Sequence, residues 1–376
     1  MTVYLDFNAT TPVDPRVADE IVHYLVDEYG NAGSRTHELG QRAQKAANRA
    51  RRQVAEVVDA QDDEVIFTSG ATEANNLALL GLAPEGDKIS RRHIVSTAIE
   101  HKAVLEPLAR LDKMGFDVQL VDPGPSGRVA ADDILAAVRP DTLAVSVMAA
   151  NNETGILQPI EEICQRLEGH DLWLHVDAAQ TFGKELDPLR SHRIDLMSIS
   201  AHKVFGPMGV GALVARSRDY RRPPLKPLMF GGGQERGLRP GTLPVPLVAG
   251  FGLAAELAGK EQAARHEACL RYRSAVLAGL APLQPVIHGD EQFTLPHVVN
   301  LSLPGVDSEA VMLAWRGIVA VSNGSACTSN SYEPSHVLTA MGVPDNQVRG
   351  ALRLSWSHMS PPADWAEAVD RVRALT

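Results

Sequence analysis

The sequence predicts an α/β fold: a large unit with a mostly parallel sheet covered by helices on both faces, then a smaller C-terminal α/β unit. Three observations predict it. A chain of 376 residues is long enough for a large buried core or two domains. Short apolar runs alternate with helix-like stretches, and strands that alternate with helices pair in parallel. The residues with chemical potential fall at the ends of these runs, where ligands bind in such sheets.

Taken in order, residues 1–15 read as an extended arm, with Pro12 and Pro15 opposing an early helix. Residues 38–58 are alanine-rich and basic, free of Gly and Pro after Gly40, and read as a long helix. Residues 64–69 form a strand-length run that ends in Ser69-Gly70-Ala71-Thr72-Glu73, with a helix to follow. Strand-like runs recur at 93–97, 118–121, 143–148, 172–176, 196–199 and 209–214. Helical stretches at 103–114, 130–138 and 160–167 separate most of them. After Gly231-Gly232-Gly233 the chain is irregular up to Pro246, and a helical region then covers 248–280. Apolar runs at 297–303, 318–321 and 351–356 belong to the second unit. The expected division is 16–259 for the large unit, with 1–15 and 260–376 forming the small one.

Charged residues make up 22% and hydrophobic residues 44%, which excludes a disordered chain. A formal charge of −10 argues against direct nucleic-acid binding, and the basic cluster from Arg216 to Arg222 reads as a solvated loop. The three cysteines, Cys164, Cys269 and Cys327, are too few and too scattered for a disulfide framework or a zinc site. A reducing compartment follows, and with no leader-like N-terminus the expected location is cytoplasmic. The longest nearly apolar stretch, 245–255, is far short of the ~18 residues a membrane span needs.

The candidate chemistry centres on Ser200-Ala201-His202-Lys203-Val204-Phe205-Gly206, where a lysine follows a buried-strand run. Burial disfavours the ammonium, and a neutral amine suits Schiff-base chemistry with a carbonyl cofactor; taken alone, the same heptapeptide reads rather as a surface lysine in a turn. Asp177 ends the run His175-Val176-Asp177, and a buried carboxylate needs a hydrogen-bonding or cationic partner, which a pyridinium nitrogen supplies. A helix cap is its ordinary alternative. Gly70-Ala71-Thr72-Glu73 joins a strand to a helix whose N-terminus favours a phosphate. Asn151-Asn152-Glu153-Thr154-Gly155 reads as a turn after a strand, and His101 as a surface histidine or one that stacks on a flat ring and moves protons. Cys164 and Cys269 lie on apolar helix faces and read as packing residues. Cys327 sits in a small, polar Gly/Ser-rich segment and reads as a nucleophile or an incidental thiol.

Together these stretches resemble the cysteine desulfurases, pyridoxal-phosphate enzymes of the class V aminotransferase group. The resemblance runs from Tyr4-Leu5-Asp6 and Ala9-Thr10-Thr11-Pro12 to Arg353-Leu354-Ser355, and Gly324-Ser325-Ala326-Cys327-Thr328-Ser329 resembles the branch with a long cysteine loop. It implies that Lys203 binds pyridoxal 5'-phosphate covalently and shuttles protons. Asp177 would pair with the pyridine nitrogen, Gln180 with the phenolic oxygen, and His101 with the ring face. Ala71, Thr72, Ser200 and His202 would hold the phosphate, and Thr242 would reach the phosphate of a neighbouring subunit in a homodimer. Asn152, also placed beside the cofactor, and Arg353 would bind the substrate carboxylate. The implied reaction converts L-cysteine to L-alanine and leaves a persulfide on Cys327, with His101 a candidate to activate the thiol. No resident metal is implied, and Cys327 is an implied transient ligand of a transferred iron–sulfur cluster. The implied acceptor is a scaffold or thiolation protein of iron–sulfur assembly, tRNA thiolation or DNA phosphorothioation.

Two rivals are distinguishable. Another enzyme of the same group, such as an aminotransferase, a selenocysteine lyase or a kynureninase-type hydrolase, would use Lys203 and Asp177 without needing Cys327. A binding protein that had lost the chemistry would not retain Lys203, Asp177, Arg353 and Cys327 together.

Overall fold

A computed structural model describes residues 2–323 and 334–375, so Cys327 lies outside the described residues. The arm carries β1 (Val3–Tyr4), and two helices follow, α1 (Pro15–Val26) and α2 (Glu38–Val57). Next come β2 (Val65–Thr68), α3 (Ala71–Ile89), β3 (His93–Thr97), α4 (Lys102–Lys113) and β4 (Asp117–Val121). The alternation continues through α5 (Ala131–Ala137), β5 (Thr142–Met148), α6 (Ile160–Arg166), β6 (Trp173–Asp177), β7 (Leu196–Ser200) and β8 (Gly211–Ala215). The long helix α7 (Val245–Leu280) leads to β9 (Val286–Ile287), β10 (Val298–Ser302), α8 (Ser308–Ala314) and β11 (Val319–Ala320). The chain closes with α9 (His336–Ala340), α10 (Asp345–Arg349), β12 (Ala351–Ser355) and α11 (Trp365–Arg373).

Seven strands form the main sheet in the order β2-β8-β7-β6-β5-β3-β4. Only β8 runs antiparallel to its neighbours. Alternate residues of the central strands face opposite ways. Val145, Leu174, Val176, Met197 and Ile199 join Phe182 and Phe251 in one core, while Ile94, Leu196 and Leu213 pack with Leu77, Leu82 and Leu108 in another. Both faces are therefore covered, as the apolar runs require. The register pairs Met148 with Asp177 and Asp177 with Ser198, so β5, β6 and β7 end side by side. That alignment positions the site.

The small antiparallel sheet has the order β12-β10-β9, and β1 pairs in parallel with β11 through Val3 and Val319. The arm thus packs against the C-terminal region, sharing a core with Trp315, Leu352 and Trp356. The division expected near residue 260 falls inside α7. Its residues Val248 to Ala258 belong to the core of the main sheet, and Cys269, Val276 and Leu280 to that of the small one.

Two expectations are corrected. Pro15 does not oppose a helix but starts α1, because a first-turn proline forfeits no helical hydrogen bond and Asp14 caps the end by accepting from the Arg16 N–H. Arg216 is not solvated: it is 2% exposed, and its guanidinium donates to the carbonyls of Leu189 (2.9 Å), Ser191 (3.1 Å) and Val58. These carbonyls come from the stretch after α2 and from the connection between β6 and β7, which a local window of sequence does not show.

Candidate active site

A cavity of about 600 Å³ opens at the carboxyl ends of the central strands. One wall is the turn Ala201–Lys203 that ends β7. The arm runs along this turn: the His202 carbonyl accepts from the Thr11 N–H and hydroxyl, both at 3.0 Å, and Asp14 N–H donates to the Phe205 carbonyl at 2.9 Å. Phe205 takes a left-handed φ of 66°, costly for an aromatic residue, and its N–H is fixed by the Thr11 hydroxyl at 2.9 Å. Lys203 Nζ, pointing into the cavity wall, donates to the Ala9 carbonyl at 2.8 Å and to that of Asn8.

Asp177 ends β6 and is 6% exposed. Asn75 Nδ2 donates to one carboxyl oxygen at 2.7 Å and the Ala179 N–H to the other at 3.0 Å. No ion pair to Asp177 forms among the described residues. Gln180 donates from Nε2 to the Asn8 carbonyl at 3.2 Å, while its Oε1 is buried without a partner, as is Oδ1 of Asn8 and of Asn75.

The N-terminus of α3 supplies the next wall. Glu73 accepts from the Ser69 N–H at 2.6 Å and pairs with Arg239 at 3.1 Å, which fixes the loop before the helix. Gly211, opening β8, lets that loop sit close: a Cβ there would lie 2.7 Å from the Gly70 Cα and 2.4 Å from the Ile199 carbonyl oxygen. Ala71 and Thr72 face the cavity together with Ser200 and His202. Burial, then the nearby Lys203 and Lys184 charges, push His202 down to about 4, so a neutral ring faces the helix end, with Nδ1 3.2 Å from the Thr10 hydroxyl.

His101 caps α4, its Nδ1 accepting from the Ala103 N–H at 3.0 Å. The neutral ring therefore carries its proton on Nε2. Burial pushes its pKa down, and Asp177 partly opposes that. Arg353 on β12 is 1% exposed. Its Nη2 donates to Asp6 at 2.6 Å and its Nη1 to the Asn152 carbonyl at 3.0 Å, which leaves Nε without a hydrogen-bond partner. A carboxylate ligand would share this guanidinium with Asp6 rather than take an unused fork.

Ten sequence-predicted residues meet in this one cavity: Ala71, Thr72, His101, Asn152, Asp177, Gln180, Ser200, His202, Lys203 and Arg353. Thr242 does not line it and is exposed, and Cys327 lies outside the described residues. The reading of Cys164 and Cys269 as packing residues agrees with their burial as free thiols. Sequence reasoning missed Asn75, Asn8 and Asp6. Asn75 had one usable signal, a polar residue on a helix face otherwise filled by Ala74, Leu77 and Ala78.

The donor set fits pyridoxal 5'-phosphate. A buried carboxyl without a cation matches the pyridine nitrogen, a helix N-terminus with two hydroxyls matches the phosphate, and a lysine at the opposite wall matches the carbonyl carbon.

Comparison with known proteins agrees. The aminotransferase class-V family profile matches residues 3–365, and the chain belongs to that family. Cysteine desulfurase IscS of Methylococcus capsulatus is 43% identical over 99% of this chain and 92% of its own length. The crystal structure of DndA from Streptomyces lividans shares 51% identity over 93% of this chain and 98% of that one, with a TM-score of 0.82. A NifS-like protein structure matches at 36% identity and a TM-score of 0.90, over 100% of this chain and 98% of its own. Within the family the chain is an enzyme of the cysteine desulfurase type, and its cofactor is pyridoxal 5'-phosphate.

Proposed function

We propose that the enzyme takes sulfur from L-cysteine onto Cys327, releases L-alanine, and passes the persulfide to an acceptor protein. The observation that supports the site assignment best is the meeting of Lys203, Asp177, Thr72 and Arg353 in one cavity from four distant parts of the chain. Asp177, oriented by Asn75 and the Ala179 N–H, would hold the ring nitrogen, with Gln180 towards the phenolic oxygen and His101 towards the ring. The N–H groups at Ala71 and Thr72, with Ser200 and His202, would hold the phosphate. When bound, the cofactor supplies a protonated ring that takes up negative charge from the substrate's α-carbon.

Arg353 and Asn152 orient the substrate carboxylate, and Lys203 moves protons at the substrate carbons. The Cys327 thiolate attacks the substrate sulfur. A sulfur–sulfur bond forms, the substrate's carbon–sulfur bond breaks, and the β-carbon takes a proton to become alanine. Cys327→Ala is expected to keep the cofactor's visible absorption and lose persulfide formation, while Lys203→Ala loses both the absorption band and turnover. Undiminished alanine production by Cys327→Ala would overturn the persulfide route.

Thr242 completes the site of a second subunit in a homodimer. Its exposure and the exposed apolar run Leu228, Met229 and Phe230 support this, Phe230 being 88% exposed. Among the possible destinations of the sulfur, the 51% identity to DndA, against 43% to IscS, supports DNA phosphorothioation over iron–sulfur assembly and tRNA thiolation. The reduced, buried Cys164 and Cys269 suit a cytoplasmic location, and no helix among the described residues is long and apolar enough to cross a membrane.

A further inference from the structure

Behind the Lys203 turn lies a second, smaller cavity of about 50 Å³, room for a few waters or one small ion. It is bounded by Gly183 and Lys184 beyond β6, by Val204 and Phe205, by α7, and by residues that flank β10 and β12. Its wall carries five basic side chains, Lys184, Arg265, His266, His297 and His358, and no aspartate or glutamate.

The surrounding acids are already committed. Arg265 stacks on Phe205 and pairs with Glu261 at 2.8 Å and Asp14 at 3.9 Å; His266 lies 3.3 Å from Glu185. Among the described residues Lys184 has no acidic partner; its Nζ lies 3.3 Å from the His297 Nε2, and His297 is 5% exposed. Burial and neighbouring positive charge hold His297 well below its ordinary range, so its neutral ring accepts from Lys184 and brings no charge. Burial pushes His358 down to about 4, so its ring brings no positive charge near neutral pH, and the Cys269 thiol up to about 11, so it brings no negative one. Burial, then the Lys203 charge, drives Lys184 down to about 7.

We propose that this cavity binds a small monovalent anion, with Lys184 as its principal donor. The volume excludes a nucleotide or a sugar phosphate, and one uncompensated ammonium calls for one negative charge. The site also bears on the cofactor cavity, because the Lys184 charge is one of those that push His202 down, and an anion beside Lys184 offsets it.

Bromide is the probe. Diffraction at the bromine edge from crystals of the unaltered protein grown with sodium bromide is expected to show an anomalous peak beside Lys184 Nζ. Water there, with no anomalous signal, overturns the proposal. In solution, bromide replacing gluconate at constant ionic strength is expected to raise the unfolding temperature of the parent in a saturable way, with the rise lost in Lys184→Met. Equal rises in both proteins overturn it too. Should Lys184→Met fail to fold, the diffraction result decides.

Discussion

Two buried aspartates sit on neighbouring strands at opposite ends of the main sheet, and they are held in opposite ways. Asp195 lies just before β7 and is fully buried. It accepts from Arg193 and the Leu174 N–H, both at 2.7 Å, and Arg218 Nε lies 3.3 Å from its other oxygen. Asp177, at the carboxyl end of β6, receives among the described residues only neutral donors, Asn75 and the Ala179 N–H. The groove near Asp195 is the larger of the two openings, about 830 Å³ against about 600 Å³. Size therefore does not mark the site. At the amino end the protein has completed its own charge balance, while at the carboxyl end it has left a carboxyl oriented and without a cation, which is what a ligand with a positive ring nitrogen requires.

The largest expected effect tests the closed end. Burial pushes the Asp195 carboxyl up and the Arg193 guanidinium down, so both are held against a desolvation cost. Removing one partner leaves the other charges buried and uncompensated. Asp195→Asn is expected to lose about 3–5 kcal/mol of stability in urea unfolding, with kcat of the folded enzyme unchanged. The open end should behave in reverse. Asp177→Asn keeps the shape and the neutral donors but not the charge, so stability should fall little while kcat drops on the order of 10²–10³-fold. Measuring kcat and unfolding on both variants breaks the comparison if Asp195→Asn slows turnover or Asp177→Asn mainly unfolds.

The open end of this contrast was legible in the sequence, while Asp195 was not, and the reason is local. Lys203, Asp177 and Thr72 each follow an apolar run of strand length, and parallel strands bring such ends together whatever lies between them. What could not be read is whatever depends on a distant partner. Asn75 reads as an interior helix residue until the fold sets it against Asp177, 102 positions away. Asn8 and Ala9 read as extended arm, yet their carbonyls receive Lys203, 195 and 194 positions away respectively. Arg216 stands in a basic cluster that looks solvated, and only tertiary packing supplies the carbonyls that bury it. Pro15 misled for a different reason: its effect depends on whether it falls inside a helix or at its first turn.

A third buried acid sharpens the comparison by having neither arginines nor a ligand to face. Glu100 is fully buried beside the cofactor cavity; one carboxyl oxygen accepts from the Thr97 hydroxyl at 2.7 Å and the Met148 N–H at 2.8 Å, and the other has no partner. Burial, opposed in part by those bonds, pushes its pKa from 4.5 up to about 8, so the folded protein keeps it as a neutral acid at pH 7. Between these two values the folded state holds a proton that the unfolded chain has released. Stability must therefore fall as pH rises through this window, by about 1.4 kcal/mol per pH unit. His175 and His202, both pushed down to about 4, contribute the opposite slope below pH 6.5, but they are common to parent and variant and cancel in the difference. Glu100→Gln keeps the acceptor and cannot ionise. It should match the parent near pH 4.5 and gain on it steadily towards pH 8 in urea unfolding. A stability difference that does not grow with pH would mean that Glu100 is ionised in the folded protein, and that the carboxyl end of the sheet carries two negative charges rather than the single one at Asp177.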